Sequence, residues 1–116
     1  MTQDNFTDKD KVKIRKWYYG SDALRRETPC VNRKMHGIEK EYYESGALRM
    51  ETPLVDGKKH GIARAYYESG ALRRVSQYEN GKRQGIEKNY DKDKANIEYL
   101  VLYKEDWRIA SIKSNT

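Results

Sequence analysis

The amino-acid sequence predicts an all-β chain: one elongated antiparallel sheet of about nine strands in meander order, built from 24-residue repeats of two strands each. Three observations predict it. The stretch Tyr42-Tyr43-Glu44-Ser45-Gly46-Ala47-Leu48-Arg49 returns letter for letter as Tyr66-Tyr67-Glu68-Ser69-Gly70-Ala71-Leu72-Arg73, and a looser copy begins at Tyr18. Turn signals recur in phase: Ser45-Gly46 and Ser69-Gly70 in one place, Asp56-Gly57 and Asn80-Gly81 in the other. Between turns, Leu48, Met50, Thr52 and Leu54 alternate with other residues, the spacing of one face of a strand. A period of this size belongs to a stacked array in which each unit buries its surface only against its neighbours.

The elements follow in order. Val12, Ile14 and Trp17 open the sheet in a strand near residues 12–19, and the second strand covers 23–31. Strands near 36–43, 47–55, 60–67 and 71–79 repeat this hairpin twice, and 84–91 starts a fourth copy at Tyr90. There Asp91-Lys92-Asp93-Lys94 replaces Tyr-Glu-Ser-Gly, so the last strands, 96–103 and 106–112, form an atypical closing hairpin. Ile97, Leu100, Leu102 and Trp107 are expected to cover its apolar end, giving a C-terminal cap over 90–112. The repeats run near 18–41, 42–65 and 66–89, within a repeat domain over 12–112 preceded by a flexible tail over 1–11. No segment between turns is long enough for a helix, and the recurring glycines oppose one. At roughly 4.8 Å per strand the array spans roughly 40 Å. Pro29 and Pro53 fall inside the second strand of their repeats, where a ladder donor is missing, and predict a break or bulge near 28–29 and 52–53; Gln77 takes that position in the third copy.

Composition narrows the function. The chain has 116 residues, one domain by length, with 36% hydrophobic and 36% charged residues. Ten tyrosines supply the apolar area that such a composition otherwise lacks. The net charge of +6 favours acidic partners, although glutamates are interleaved with the basic residues throughout. The single Cys30 excludes an intrachain disulfide and holds the position of Leu54 and Tyr78, an ordinary apolar site. No apolar run reaches membrane-spanning length, and Met1 to Asp10 has no secretory apolar region, so the chain reads as cytoplasmic.

Tyr-Tyr-Glu-Ser-Gly-Ala-Leu followed by Asp-Gly-Lys-Lys-His-Gly-Ile resembles the MORN-repeat family, in particular its bacterial variant with Tyr-Tyr-x-x-Gly-x-Leu and x-Asn-Gly-Lys-x-x-Gly. The resemblance covers about residues 14–90. It implies an elongated antiparallel sheet and a non-catalytic role in protein or lipid contact, and bacterial members of the variant are commonly labelled antitoxin-like or immunity proteins. The first copy departs from the pattern, with Asp22 and Arg33 where Gly46 and Gly57 would stand.

Three ladders are candidate sites. Tyr18, Tyr42, Tyr66 and Tyr90 persist into the degenerate last copy and are assigned to packing between repeats. Tyr19, Tyr43 and Tyr67 alternate to the other face, stop at Asp91, and are assigned to a partner surface, because tyrosine brings apolar area and a polar tip at low entropy cost. Arg25, Arg49 and Arg73 form a basic ladder with Lys40, Arg64 and Lys88 nearby; they either bridge to glutamates on adjacent strands or join the tyrosines at the partner surface. His36 and His60, on equivalent positions about 10 Å apart, cannot share a metal and suit turn hydrogen bonds. No catalytic constellation, phosphate loop, metal set or cofactor motif is present in the sequence. The chain therefore reads as a protein-binding module, with an antitoxin or immunity role occluding a toxin as its sharpest form. The alternatives are attachment to anionic lipid or nucleic acid through the basic ladder, and a structural assembly module.

Overall fold

The computed structural model describes residues 12–93 and 96–113; the expected tail over 1–11 lies outside them. All described regular structure is β: β1 (Val12–Tyr18), β2 (Leu24–Val31), β3 (Lys34–Met35), β4 (Gly37–Tyr42), β5 (Leu48–Val55), β6 (Lys58–Lys59), β7 (Gly61–Tyr66), β8 (Leu72–Glu79), β9 (Lys82–Arg83), β10 (Gly85–Tyr90), β11 (Ile97–Lys104) and β12 (Trp107–Lys113). Nine long strands cross one antiparallel sheet in chain order, and the two-residue β3, β6 and β9 pair with the ends of β2, β5 and β8. The principal extents are 54 × 36 × 28 Å and the radius of gyration is 16.9 Å, against about 13 Å for a compact domain of this length. The expected all-β meander is the observed fold.

Positive-φ residues set the turns. Tyr43 donates its N–H to the Ala47 carbonyl at 2.8 Å, and the Gly46 N–H reaches back to the Tyr43 carbonyl at 2.9 Å. The loop is therefore three residues, a type I turn closed by Gly46 at φ 97°. On the opposite edge Asp56-Gly57 and Asn80-Gly81 both take positive φ at both positions, the two-residue hairpin expected of those pairs. The first copy keeps the same geometry without glycine: Asp22 sits at φ 75°, and Asn32-Arg33 at 51° and 69°. Turn after turn is stitched to the repeat before it, as Gly57 N–H meets the Met35 carbonyl and Gly81 N–H the Lys59 carbonyl, each at 2.8 Å.

The prolines do interrupt pairing, but not inside their own strands. β2 and β5 run unbroken through Pro29 and Pro53. The interruption lies in the facing chain: Glu27 is opposite Lys40 and Cys30 opposite Met35, so four residues, 36 to 39, face two. The Pro29 carbonyl accepts from the His36 N–H at 2.9 Å. In an extended strand a residue's nitrogen points the same way as its carbonyl, so the missing donor faces the splayed segment, where no ladder partner is required. The splay also explains Gly37 and Gly61. At φ 116° and 114°, each lies under a proline ring, and a Cβ there would meet Cγ of Pro29 at 2.8 Å and of Pro53 at 3.1 Å.

A second irregularity recurs at the other end of each hairpin. Tyr42 faces Leu48 while Glu41 faces Met50, so Arg49 is an extra residue in β5. Arg25 and Arg73 are bulged in the same way in β2 and β8, and Glu98 in β11.

Burial is confined to one face. A row of mostly small residues crosses the sheet, Thr28, Glu39, Thr52, Ala63, Ser76, Glu87 and Val101, with Glu39 opposite Thr52, Ala63 opposite Ser76 and Glu87 opposite Val101 in register, and side-chain bonds joining Thr28 to Glu39 and Ser76 to Glu87 across the splayed segments. Thr28, Thr52, Ala63, Ser76, Glu87 and Val101 are all buried although no second layer covers them. Longer neighbours on the same face, Met50 and Arg74 on one side and Leu54 and Tyr78 on the other, flank the row. Cys30 is buried beside it, as an apolar site should be. The opposite face carries alternating charge, Lys16, Glu27, Lys40, Glu51 and Arg64 in direct register. It also carries Ile14, Ile38, Ile62 and Ile86, each between 45% and 52% exposed.

The closing hairpin is anchored differently from the expectation. Of the four residues expected to cover the apolar end, Leu100 is half-buried, Ile97 and Leu102 are partly exposed and Trp107 is 76% exposed. Val101 is buried at the end of the small-residue row. Asp106 holds the turn, with its Oδ1 accepting from Arg83 N at 3.0 Å and Arg83 Nε at 3.1 Å, while Arg83 lies over the Tyr103 ring at 4.3 Å. The Arg83 backbone and guanidinium donors hold the Asp106 carboxyl below its ordinary range.

Candidate functional site

Because Tyr43 follows the end of β4 and opens the three-residue loop, and Arg49 is bulged out of β5, the two side chains meet beside the turn. The Arg49 guanidinium carbon lies 5.7 Å from the centroid of the Tyr43 ring, and Arg25 over Tyr19 and Arg73 over Tyr67 lie at the same distance. This is cation–π range, about 0.5–1 kcal/mol at an exposed site. The structure thus brings all six sequence-predicted site residues together as three equivalent pairs. It does not give the arginines the inter-strand salt bridges considered for them: among the described residues, none of the three has an ion pair.

The tyrosines of these pairs also bind the fold. Tyr19 donates its hydroxyl to the Tyr42 carbonyl, Tyr43 to the Tyr66 carbonyl at 2.7 Å, and Tyr67 to the Tyr90 carbonyl at 2.8 Å. Each ring is therefore pinned one repeat onward while its arginine rests on it. The division of one tyrosine row for folding and one for binding does not describe this geometry, since both rows join repeats. In the other row the Tyr42 hydroxyl donates to Glu27 and that of Tyr66 to Glu51 at 2.7 Å. Burial first, then the hydrogen bond to the Glu27 carboxylate, pushes the Tyr42 hydroxyl up to about 12. Tyr66 is raised for the same reasons. The row ends where Val75 stands in place of a glutamate, opposite Tyr90's repeat.

A further arrangement escaped the sequence reading. On the buried face the Thr28 hydroxyl donates to Glu39 Oε2 at 2.7 Å, and the Ser76 hydroxyl to Glu87 Oε2 at 2.9 Å. In the middle repeat Thr52 is equally buried, but the equivalent of Glu39 and Glu87 is Ala63. A gap of about 90 Å³ opens there, lined by Thr52, Ala63 and Ala65, with Lys59, Arg74 and Tyr78 around it. The signal was present as Thr-Thr-Ser against Glu-Ala-Glu in phase, but only the folded side chains show that the two positions touch, across the splayed segment where the ladder is interrupted.

His60 has the turn contact expected of it, its Nδ1 accepting from Asn80 N at 3.4 Å. Among the described residues no helix is long and apolar enough to cross a membrane.

No match was found among curated proteins. The family model of the MORN repeat variant matches the chain twice, at residues 35–56 and 59–80. The two matches start 24 residues apart, the period of the Tyr–Arg pairs (59 − 35 = 24). They support a repeat module of a non-catalytic, interaction-mediating kind.

Proposed function

We propose that this chain is a cytoplasmic protein-binding repeat module, and in its specific form an antitoxin or immunity protein that occludes a partner toxin. The observation that carries the reading is the row of Tyr–Arg pairs. Three rings pinned by their hydroxyls and three exposed guanidinium groups stand in the same geometry along one edge. Rings so fixed lose little freedom on association, and tyrosine and arginine are the residue types that dominate protein interfaces. The row stops where the module stops, with Asp91 and Glu98 in place of tyrosine and bulged arginine. The basic balance of +6 favours an acidic partner surface.

Removing the guanidinium groups tests this without removing the hydroxyl ties. Arg49→Ala with Arg73→Ala is expected to leave Tm nearly unchanged and weaken capture of a co-encoded partner at least about tenfold, the loss of roughly 1.4 kcal/mol. Full-strength capture by the double variant would refute the assignment. The net positive charge also favours anionic lipid or nucleic acid as a second reading. That reading requires affinity to fall steeply with salt and to depend on lysines throughout the chain.

A further inference from the structure

The gap in the middle repeat has a defined chemical vacancy. In the flanking repeats, the buried hydroxyl at this position is met by the chain's own carboxylate, Thr28 by Glu39 and Ser76 by Glu87. Thr52 occupies the same position at 2% exposure and lines the gap, and its hydroxyl has no partner among the described residues. Among the described residues the sealed side-chain polar atom without a partner is Arg26 Nε, so the Thr52 hydroxyl keeps access to solvent, and a ligand group that reaches it replaces water. Ala63 and Ala65 remove both long side chains that Glu39 and Glu41 supply one repeat earlier. The space left, about 90 Å³, is several times the roughly 10–15 Å³ that one water needs on the same measure. That is room for a carboxylate with its adjoining methylene. Lys59 and Arg74 line the gap and no acidic residue does. Arg74 Nε is 4.0 Å from Glu87 Oε2, so this arginine already faces one carboxylate of the chain.

We propose that the gap over Ala63 and Ala65 receives an aspartate or glutamate side chain of a protein partner, which supplies in trans the carboxylate that Glu39 and Glu87 supply in cis. The inference rests on the protein-binding reading and names the chemistry that reading requires at one point of contact. An incoming carboxylate accepts from the Thr52 hydroxyl and is neutralised by Lys59 and Arg74, and charge-assisted bonds of this kind are the stronger class.

Two sets of variants of the full chain test it. Thr52→Val is expected to leave Tm unchanged or raise it, because its hydroxyl has no partner to lose. Thr28→Val and Ser76→Ala are expected to lower Tm, because each removes a hydroxyl that donates to a carboxylate of the chain. Equal losses at all three positions would overturn the vacancy. The ligand chemistry is read by amide shift titration with the capped peptide acetyl-Gly-Glu-Gly-amide. Saturable shifts at Thr52, Ala63 and Ala65 are expected, about tenfold weaker with the glutamine analogue and lost in Ala63→Glu, which fills the gap from within. Equal response to the glutamine peptide, or response only to inorganic phosphate, would overturn the proposal. A partner captured equally by the wild type and Ala63→Glu leaves the protein-binding reading standing and sinks this one. Glutamyl-peptide binding in a chain that captures no protein does the reverse.

Discussion

At the scale of single residues, the tyrosine hydroxyls hold the array together. Tyr43 and Tyr67 each donate to a backbone carbonyl one repeat onward. Tyr43→Phe and Tyr67→Phe, which delete only the hydroxyl, are expected to cost about 0.5–1.5 kcal/mol each in urea unfolding. Unchanged midpoints would show that water replaces the hydroxyl without loss. Tyr42 gives a pH signature. Its folded-state pKa lies at about 12, above the ordinary 10, so the folded state holds the proton more tightly than the unfolded state. The stability this contributes is complete below about pH 10 and is lost as pH rises through about 12, with Tyr66 acting in the same direction. Tyr42→Phe with Tyr66→Phe should flatten the alkaline limb of a Tm-against-pH curve, and an unaltered limb would assign that loss to other groups. The participation of these tyrosines was legible in the sequence, because the letters recur in phase. Their acceptors were not, since a carbonyl carries no residue identity and Glu27 looks like any other surface glutamate.

At the scale of the element, backbone conformation decides what a repeat can be. The hairpins were legible because positive φ selects glycine, asparagine and aspartate, and Ser-Gly, Asp-Gly and Asn-Gly mark such sites. The bulges at Arg25, Arg49 and Arg73 were not legible, since a bulged residue of this type needs no special side chain. Pro29 and Pro53 signalled an interruption correctly but could not say which strand yields; Gly37 and Gly61 on the facing strand hold that information. Buried and exposed faces were hard to read because hydropathy misleads here. Thr28, Thr52 and Ser76 lie inside while Ile38 and Ile62 stand half in solvent. The first repeat offers a direct test of turn strain. Arg33 holds φ 69°, where Gly57 and Gly81 stand in later repeats. Arg33→Gly is expected to stabilise by up to about 1 kcal/mol, a Tm rise of roughly 2–6 °C, read by thermal melts. A fall in Tm would mean that the added backbone entropy of glycine outweighs the relieved strain.

At the scale of the whole molecule, stability is a chain of neighbour terms with two open ends. β11 covers β10 along nearly its whole length, from Gly85 opposite Tyr103 to Tyr90 opposite Ile97. A chain ending at Asp91 loses that cover together with Val101 and the Asp106–Arg83 clasp, and exposes a complete row of unpaired backbone groups. It is expected to self-associate in analytical ultracentrifugation, whereas a monomer as stable as the full chain would show that the last hairpin does not protect the array. Joining β11 and β12 to the same sheet also leaves Trp107, Ile109 and Ile112 exposed on the last strand, so the end of the array is itself an apolar edge.

The transverse arrangement of the strands has a mechanical consequence. Tension applied to the two ends of the chain pulls the outermost strands away from their neighbours, so the backbone bonds of each hairpin open in succession, as a zipper does, instead of shearing together. Each freed repeat of 24 residues gives about 70 Å of new length after its own width in the sheet is subtracted. The hydroxyl ties from Tyr19, Tyr43 and Tyr67 cross from one repeat to the next, so they act as ratchet teeth that punctuate the opening once per repeat. Single-molecule stretching from the two ends is therefore expected to show low-force extension in steps of about one repeat, and a single all-or-none rupture would show that the repeats do not open one by one.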